Sequence, residues 1–278
     1  MTAAPRPFSA DHPSQRLLPP RAPYDVAVVG AGRVGQSFAR ALERAGHTIV
    51  AELHRDDDPS PISSASVVII SVPDDALFEA AGVVARLGRP GAVVVHTCGL
   101  LGVEPLQDCG SLVAAIHPAV PVAAPGQDLS GVCFGVTCAE ELREWCESFV
   151  SDLGGTARMI GDDERTMYHA ALAMASNFAV SLAGDAAEIL GGHDLLVPLL
   201  RATVENIAAL GPDAALTGPV VRGDTGTVRA HVAALPPDLL EVYVSNAKRA
   251  LARAVASGRL DQRAAAKIRD VLEEALVR

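Results

Sequence analysis

The chain has 278 residues, above the ~100–200 usual for one domain, so two domains are expected. Its net charge of −10 argues against nucleic acid or an anionic membrane as partner, since both need basic patches. With only 3 Tyr, 6 Phe and 1 Trp there is no base-stacking platform, and 49% hydrophobic residues exclude a wholly disordered chain.

Residues 1–23 carry six prolines and no apolar run, and read as a disordered arm, not a signal peptide. Tyr24–Val29 is a short β-rich run ending at Gly30. Helical periodicity follows through Phe38, Leu42 and Ala45 until Gly46 stops it. Thr48–Leu53 and Val67–Val72 are further strands, the latter continuously apolar as in a parallel sheet buried on both faces. A helix over Asp74–Leu87 opens with acids, which suit a helix N-terminus. Ala92–His96, Leu112–Ile116 and Cys133–Thr137 read as strands, and Glu140–Leu153 as a helix. This alternation predicts a doubly wound α/β sheet of the Rossmann type.

The strand runs stop near Gly161. Ala/Leu-rich helical patterns follow at about 164–190, 195–210, 226–234, 239–256 and 261–277. The expected division is therefore a sheet domain over 24–161 and an all-α domain over 162–278. The longest uncharged apolar stretch, Ala170–Gly184, is shorter than the ~18–20 residues of a membrane span, and reads as a buried helix with no membrane role. The five cysteines are odd in number and form no CxxC pair. That fits reduced thiols in the cytoplasm better than disulfides or a zinc site. No HExxH, GxSxG or P-loop occurs, and no histidine has a partner at metal-ligand spacing, so no metal is expected.

Gly30-Ala31-Gly32-Arg33-Val34-Gly35 is a GxGxxG turn that follows a strand and opens a helix, the context in which the pattern has meaning. Gly30 permits the tight turn, Gly32 lets backbone N–H groups approach a pyrophosphate, and Gly35 lets the helix pack on the strand. The helix N-terminus then favours the anion. The end of the second strand chooses the nucleotide. Glu52 lies near the spacing of an acid that binds the ribose of NAD, whereas His54 and Arg55 at the strand's exit suit the 2′-phosphate of NADP. NADP(H) is the preferred cofactor over NAD. The alternative for Arg55 is a solvated loop charge beside Asp56-Asp57-Asp58.

The ordered segments VAVVGAGRVG, VVIISVPDDAL, VVVHTCG, AIHPAVP, RTMYHAALAMASN and ALTGPVVRGDTGTVRAH resemble the Rossmann-like family with a C-terminal domain of unknown function 2520. That family is similar to a wider group containing pyrroline-5-carboxylate reductase, ketopantoate reductase, prephenate dehydrogenase, β-hydroxyacid dehydrogenases and deazaflavin-dependent NADP reductases. The resemblance implies a Rossmann domain, a second domain like the C-terminal one of 6-phosphogluconate dehydrogenase, a homodimer formed through that domain, and NADP-dependent hydride transfer.

Ligands of open α/β sheets lie outside the carboxyl ends of the strands. Val72-Pro73-Asp74 should line the nucleotide crevice. Thr97 could bond the nicotinamide amide or the substrate, or be satisfied locally. His117-Pro118 resembles the His-Pro of prephenate dehydrogenases, where the His meets the substrate's reacting oxygen; an imidazole can move that proton. The alternative is a His that fixes the turn before Pro118. On the next helix His169 and Asn177 are expected to share one broad side, about ~12 Å apart, facing either a ligand or a dimer core. β-Hydroxyacid dehydrogenases and ketopantoate reductases carry Lys-x3-Asn here, and the Lys position is Ala173. The proton donor would then be His117 or His169. The glycine-rich segment Leu216–Thr227 is similar to the carboxylate-cupping segment of pyrroline-5-carboxylate reductase, and Arg222 could clamp a carboxylate, or be a surface partner of an acid. The expected activity is NADP(H)-dependent oxidoreduction at a C=O or C=N carbon of a small acidic metabolite, a 2-oxo acid such as ketopantoate or an imine. The alternative is a non-catalytic NADP-binding sensor.

Overall fold

A computed structural model describes residues 19–277. The arm expected over residues 1–23 lies for the most part outside them. Seven runs pair as strands: β1 (Asp25–Val29), β2 (Thr48–Leu53), β3 (Val67–Ile70), β4 (Val93–His96), β5 (Val113–Pro118), β6 (Cys133–Cys138) and β7 (Thr156–Met159). They form one sheet in the order β2-β1-β3-β4-β5-β6-β7. The first five are parallel; β6 runs against β5, and β7 runs with β6. The chain moves to one side after β1 and returns to the other at β3, so the crevice of a doubly wound sheet lies between them.

Strand alternation sorts the core into two layers. Val26, Val28, Val67, Ile69, Val93 and Val95 face one way, with Phe38 of helix α1 (Arg33–Arg44). Ala27, Val68, Ile70 and Val94 face the other way, with Leu77, Ala81 and Val84 of helix α2 (Leu77–Leu87). Helix α3 (Arg143–Asp152) adds Trp145 and Phe149 to the first layer. Helix α4 (Arg165–Ala175) completes the first of two compact units, which divide after Asn177.

The second unit contains α5 (Asn177–Leu190), whose first residue belongs to the first unit, then α6 (Leu196–Leu210), α7 (Pro212–Ala215), α8 (Pro219–Arg222), α9 (Thr225–Ala234), α10 (Pro237–Ala256) and α11 (Gln262–Leu276). Its core joins Val220 and Val221 of α8, Val228 of α9, Val244 and Leu251 of α10, and Ile268 and Leu272 of α11.

Two expectations are corrected. The helical run over 164–190 is not one helix: it breaks at Ser176, whose Oγ lies 2.9 Å from Leu172 O, to which it can donate. A hydroxyl returning to the carbonyl four residues back bends helices. The stretch Ala170–Gly184 is also not a buried helix. Val180 on α5 is 71% exposed and Val204 on α6 is 66% exposed. By length and composition Asp162–Leu190 could cross a membrane. Its first turn is nevertheless anchored in the sheet unit by Arg165, described below.

Candidate active site

The glycine turn is built as the motif requires. Gly30 has φ +96°, and a Cβ there would lie 2.3 Å from Ser71 O at the end of β3. Only glycine tolerates both conditions. Its N–H and that of Ala31 donate to Leu53 O at 2.8 and 3.1 Å, which locks the turn to the end of β2. A Cβ on Gly35 would lie 2.2 Å from Gly30 O, so α1 can press against the turn only with glycine there. Gly32 is the N-cap residue of α1, and a Cβ on it would meet nothing within 4 Å. The first-turn N–H groups at Arg33, Val34 and Gly35 have no intrahelical acceptor, and an anion can approach them over Gly32. Arg33 is exposed beside them. The crevice at the β1/β3 switch point therefore fits a pyrophosphate.

At the neighbouring end of β2, Glu52 is paired with Arg40 of α1. His54 and Arg55 are exposed after the strand. The acids that follow close on their own backbone: Asp57 accepts the N–H of His54 at 2.7 Å, and Asp58 accepts the N–H and hydroxyl of Ser60 at 3.0 and 2.6 Å. Among the described residues Arg55 has no salt-bridge partner, so it is free to take a phosphate. Pro73 and Asp74 are exposed and Val72 half-buried just past β3, on the rim of the same crevice.

The end of β5 carries His117. Its Nδ1 lies 3.0 Å from the hydroxyl of Tyr168 on α4, and the two rings meet edge to face at 5.8 Å. His169 lies on the other side, 6.0 Å away centre to centre and also edge-on. Two glycines make room for this cluster. A Cβ on Gly135, which is paired with His117 across the sheet, would lie 2.5 Å from the Tyr168 hydroxyl oxygen. A Cβ on Gly99 would lie 2.9 Å from His117 Nε2 and 2.8 Å from His169 Cδ2. Burial, then the positive charge of Arg165, pushes His117 down to about 4, so the imidazole is neutral near pH 7. Burial holds the Tyr168 phenol above its usual range, opposed by Arg165 and by a backbone hydrogen bond from Gly135. Either partner can donate in the His117 Nδ1–Tyr168 bond, according to the imidazole tautomer, and His117 Nε2 lies on the side of Gly99.

Arg165 is the residue that sequence reasoning missed. It is 1% exposed and its guanidinium reaches across three strand ends. Nε donates to Thr137 Oγ1 at 2.7 Å, and the terminal nitrogens donate to the carbonyls of Ala115 at 2.8 Å, Gly135 at 3.2 Å and Cys98 at 3.4 Å. A signal was present: Arg165 precedes Tyr168 by three and His169 by four residues, which places all three on one helix face.

His96, at the end of β4, is a structural partner. Its Nδ1 accepts the Cys98 N–H at 3.2 Å and its Nε2 lies 2.6 Å from Gly102 O, as donor in the neutral form. Burial pushes it down to about 4. Thr97 is buried and donates to Ser71 Oγ at 3.1 Å, the local bond that was one of its two readings. Asn177 and Arg222, the other two expected residues, take no part in the hydrogen bonds and ring contacts of this cluster. Asn177 is exposed at the first position of α5, past the break at Ser176. Arg222 is exposed at the end of α8 in the second unit. Beside it Asp224 caps α9, accepting from Thr227 N at 3.0 Å and Thr227 Oγ1 at 2.7 Å.

Comparisons with known proteins agree with this architecture. The Rossmann-like domain family matches residues 56–118, and the domain of unknown function DUF2520 matches residues 132–250. No curated protein sequence matches the chain. Among solved structures, a proposed NADP oxidoreductase from Bacteroides fragilis is similar with a TM-score of 0.68 at 22% identity, over 82% of this chain and 97% of that one. A protein from Thermotoga maritima gives 0.55 at 23% identity, over 91% of this chain and 98% of that one. A proposed oxidoreductase from Mycobacterium avium gives 0.52 at 20% identity, over 91% and 98% respectively. These likenesses are of fold. The chain thus resembles a Rossmann-like domain over residues 56–118 and a DUF2520 domain over residues 132–250.

Proposed function

We propose that this protein is a nicotinamide-dinucleotide-dependent oxidoreductase, that it uses NADP(H), and that it acts on a small carboxylate metabolite. The observation that carries the reading is the Gly30–Gly35 turn on the same sheet edge as a half-buried His–Tyr pair. Gly32 and the first N–H groups of α1 would hold the pyrophosphate, and Arg55 with His54 the 2′-phosphate. The bound nucleotide supplies a two-electron hydride donor or acceptor. The chain's own part is the proton. His117 holds its Nε2–H against a substrate oxygen while Tyr168 holds its proton against Nδ1. A proton leaving Nε2 is replaced at Nδ1 from Tyr168, so the imidazole need not become a cation in a site that disfavours one. His169 borders the same space. A cation would clamp the substrate's carboxylate.

The test is a panel of 2-oxo acids and imines with NADPH, followed by nicotinamide absorbance. Turnover that falls at least about 100-fold in both His117→Ala and Tyr168→Phe supports the reading. NADPH binding without turnover on any member would point instead to a non-catalytic sensor.

A homodimer belongs to the same proposal. Phe178, Val180 and Ile189 on α5 and Leu199, Val204 and Leu210 on α6 are all exposed. An apolar surface of this extent calls for a cover. A second copy of the chain in the cytoplasm is the cover proposed, and all five cysteines are free thiols, as that compartment favours. Sedimentation at micromolar concentration should give a dimer. A monomer that partitions into lipid vesicles would replace this reading with a membrane one.

A further inference from the structure

Arg165 is the one Arg, Lys, Asp or Glu that is buried among the described residues. Its hydrogen bonds are made to three carbonyls and a hydroxyl, and none to a carboxylate. The donors are satisfied, but the charge is not balanced. A buried cation is expensive to retain without an anion, and a neutral side chain could brace the same strand ends. The acids that act on this region lie at its margin: Asp162 is exposed and accepts the Val103 N–H at 3.0 Å, and Asp74 is exposed past β3. His96 from β4 and His169 from α4 complete the titratable groups that act on His117. The guanidinium carbon lies 5.8 Å from the centre of the Tyr168 ring. The field at the His117–Tyr168 pair is therefore positive.

We infer that Arg165 sets the charge of the group this site accepts: an oxygen that carries or gains negative charge at His117 Nε2, so that the substrate is a carbonyl–hydroxyl couple and not a C=N compound. The inference rests on the oxidoreductase reading above. In carbonyl reduction the hydride brings two electrons and bonds to carbon. The displaced C=O pair lands on oxygen, and the nicotinamide donor is oxidised. The oxygen takes the Nε2 proton, Tyr168 refills Nδ1, and its phenolate is left beside the Arg165 cation until solvent returns the proton. The negative charge that develops on the oxygen, and then on Tyr168, faces a positive group, and the matching positive charge is left on the oxidised nicotinamide ring. Reduction of C=N starts from its protonated form, a cation that the same field repels. Arg165 touches no substrate atom in this scheme; it is a positioning residue.

The test uses the whole protein with NADP present and follows the His117 ring by NMR. The probes are oxamate, which presents a carbonyl oxygen beside a carboxylate, and N-methylglycine, which presents a cationic nitrogen at that place. Oxamate is expected to shift the His117 resonances and to bind at least about tenfold more tightly than N-methylglycine. Arg165→Gln should lose about tenfold in oxamate affinity, and Arg165→Lys should keep most of it. In Arg165→Gln the His117 titration should also move up toward its ordinary value. Equal or tighter binding of N-methylglycine, no oxamate effect on His117, or undiminished oxamate affinity in a folded Arg165→Gln would overturn the inference. If the glutamine variant does not fold, the comparison of the two probes on the unaltered protein still decides. Nucleotide binding is measured in the same samples. Nucleotide bound without the oxamate preference sinks this inference alone, whereas no nucleotide bound sinks the oxidoreductase reading itself.

Discussion

Acidification should destabilise the sheet unit well before its carboxylates are protonated, because two histidines are folded in their neutral form. His96 is fully buried, with both ring nitrogens engaged, and burial lowers it from 6.5 to about 4. On acidification the unfolded chain takes up this proton as pH passes about 6.5, and the folded chain only near about 4. Stability is therefore complete above about pH 6.5, declines through the window, and levels off near about pH 4. A displacement of that size is worth about 3 kcal/mol, approached at about 1.4 kcal/mol per pH unit in mid-window. His117 is lowered to about 4 as well, with the same sign. It is partly exposed, so its contribution is smaller. The assay is urea unfolding at several pH values between about 7 and about 4.5, read by Trp145, the only tryptophan, which is buried in the sheet unit. His96→Gln should remove about one proton from the slope. A flat profile across the window, or a slope unchanged by that substitution, would refute the argument.

Gly135→Ala should overpack the phenol of Tyr168, where the new Cβ would lie 2.5 Å from its hydroxyl oxygen. About 1–3 kcal/mol of stability should be lost in urea unfolding, together with the His117–Tyr168 bond as seen by NMR. Arg55→Ala should weaken NADPH at least about tenfold in calorimetry and leave NADH unchanged, since the arginine is assigned to the 2′-phosphate alone. Asp261 caps α11 by accepting from Ala264 N at 2.8 Å. Asp261→Ala should cost the helical unit about 1 kcal/mol, seen as a lower Tm by circular dichroism.

What was legible in the sequence is what local chemistry decides. The turn from Gly30 to Gly35 requires glycine for reasons internal to one strand–turn–helix unit, and six strands announced themselves as apolar runs. β7 did not, because Thr156–Met159 is four residues at the sheet's edge with two exposed positions. The break at Ser176 was hidden by strong helical periodicity on both sides of it. The burial expected of Ala170–Gly184 assumed that an apolar helix finds its cover within its own chain. His117 was found because a strand end before Pro118 is a local feature. Arg165 was not, since its role depends on carbonyls from β4, β5 and β6 that converge only in the folded sheet. Its helix-face relation to Tyr168 and His169 was readable; the reason for its burial was not.

The central claim is that the crevice at the β1/β3 switch point holds NADP. The measurement that tests it most directly is calorimetric titration of the purified protein with NADPH and with NADH. The account predicts that NADPH binds at micromolar or better affinity, at least about tenfold more tightly than NADH. Absence of binding by either nucleotide would contradict it.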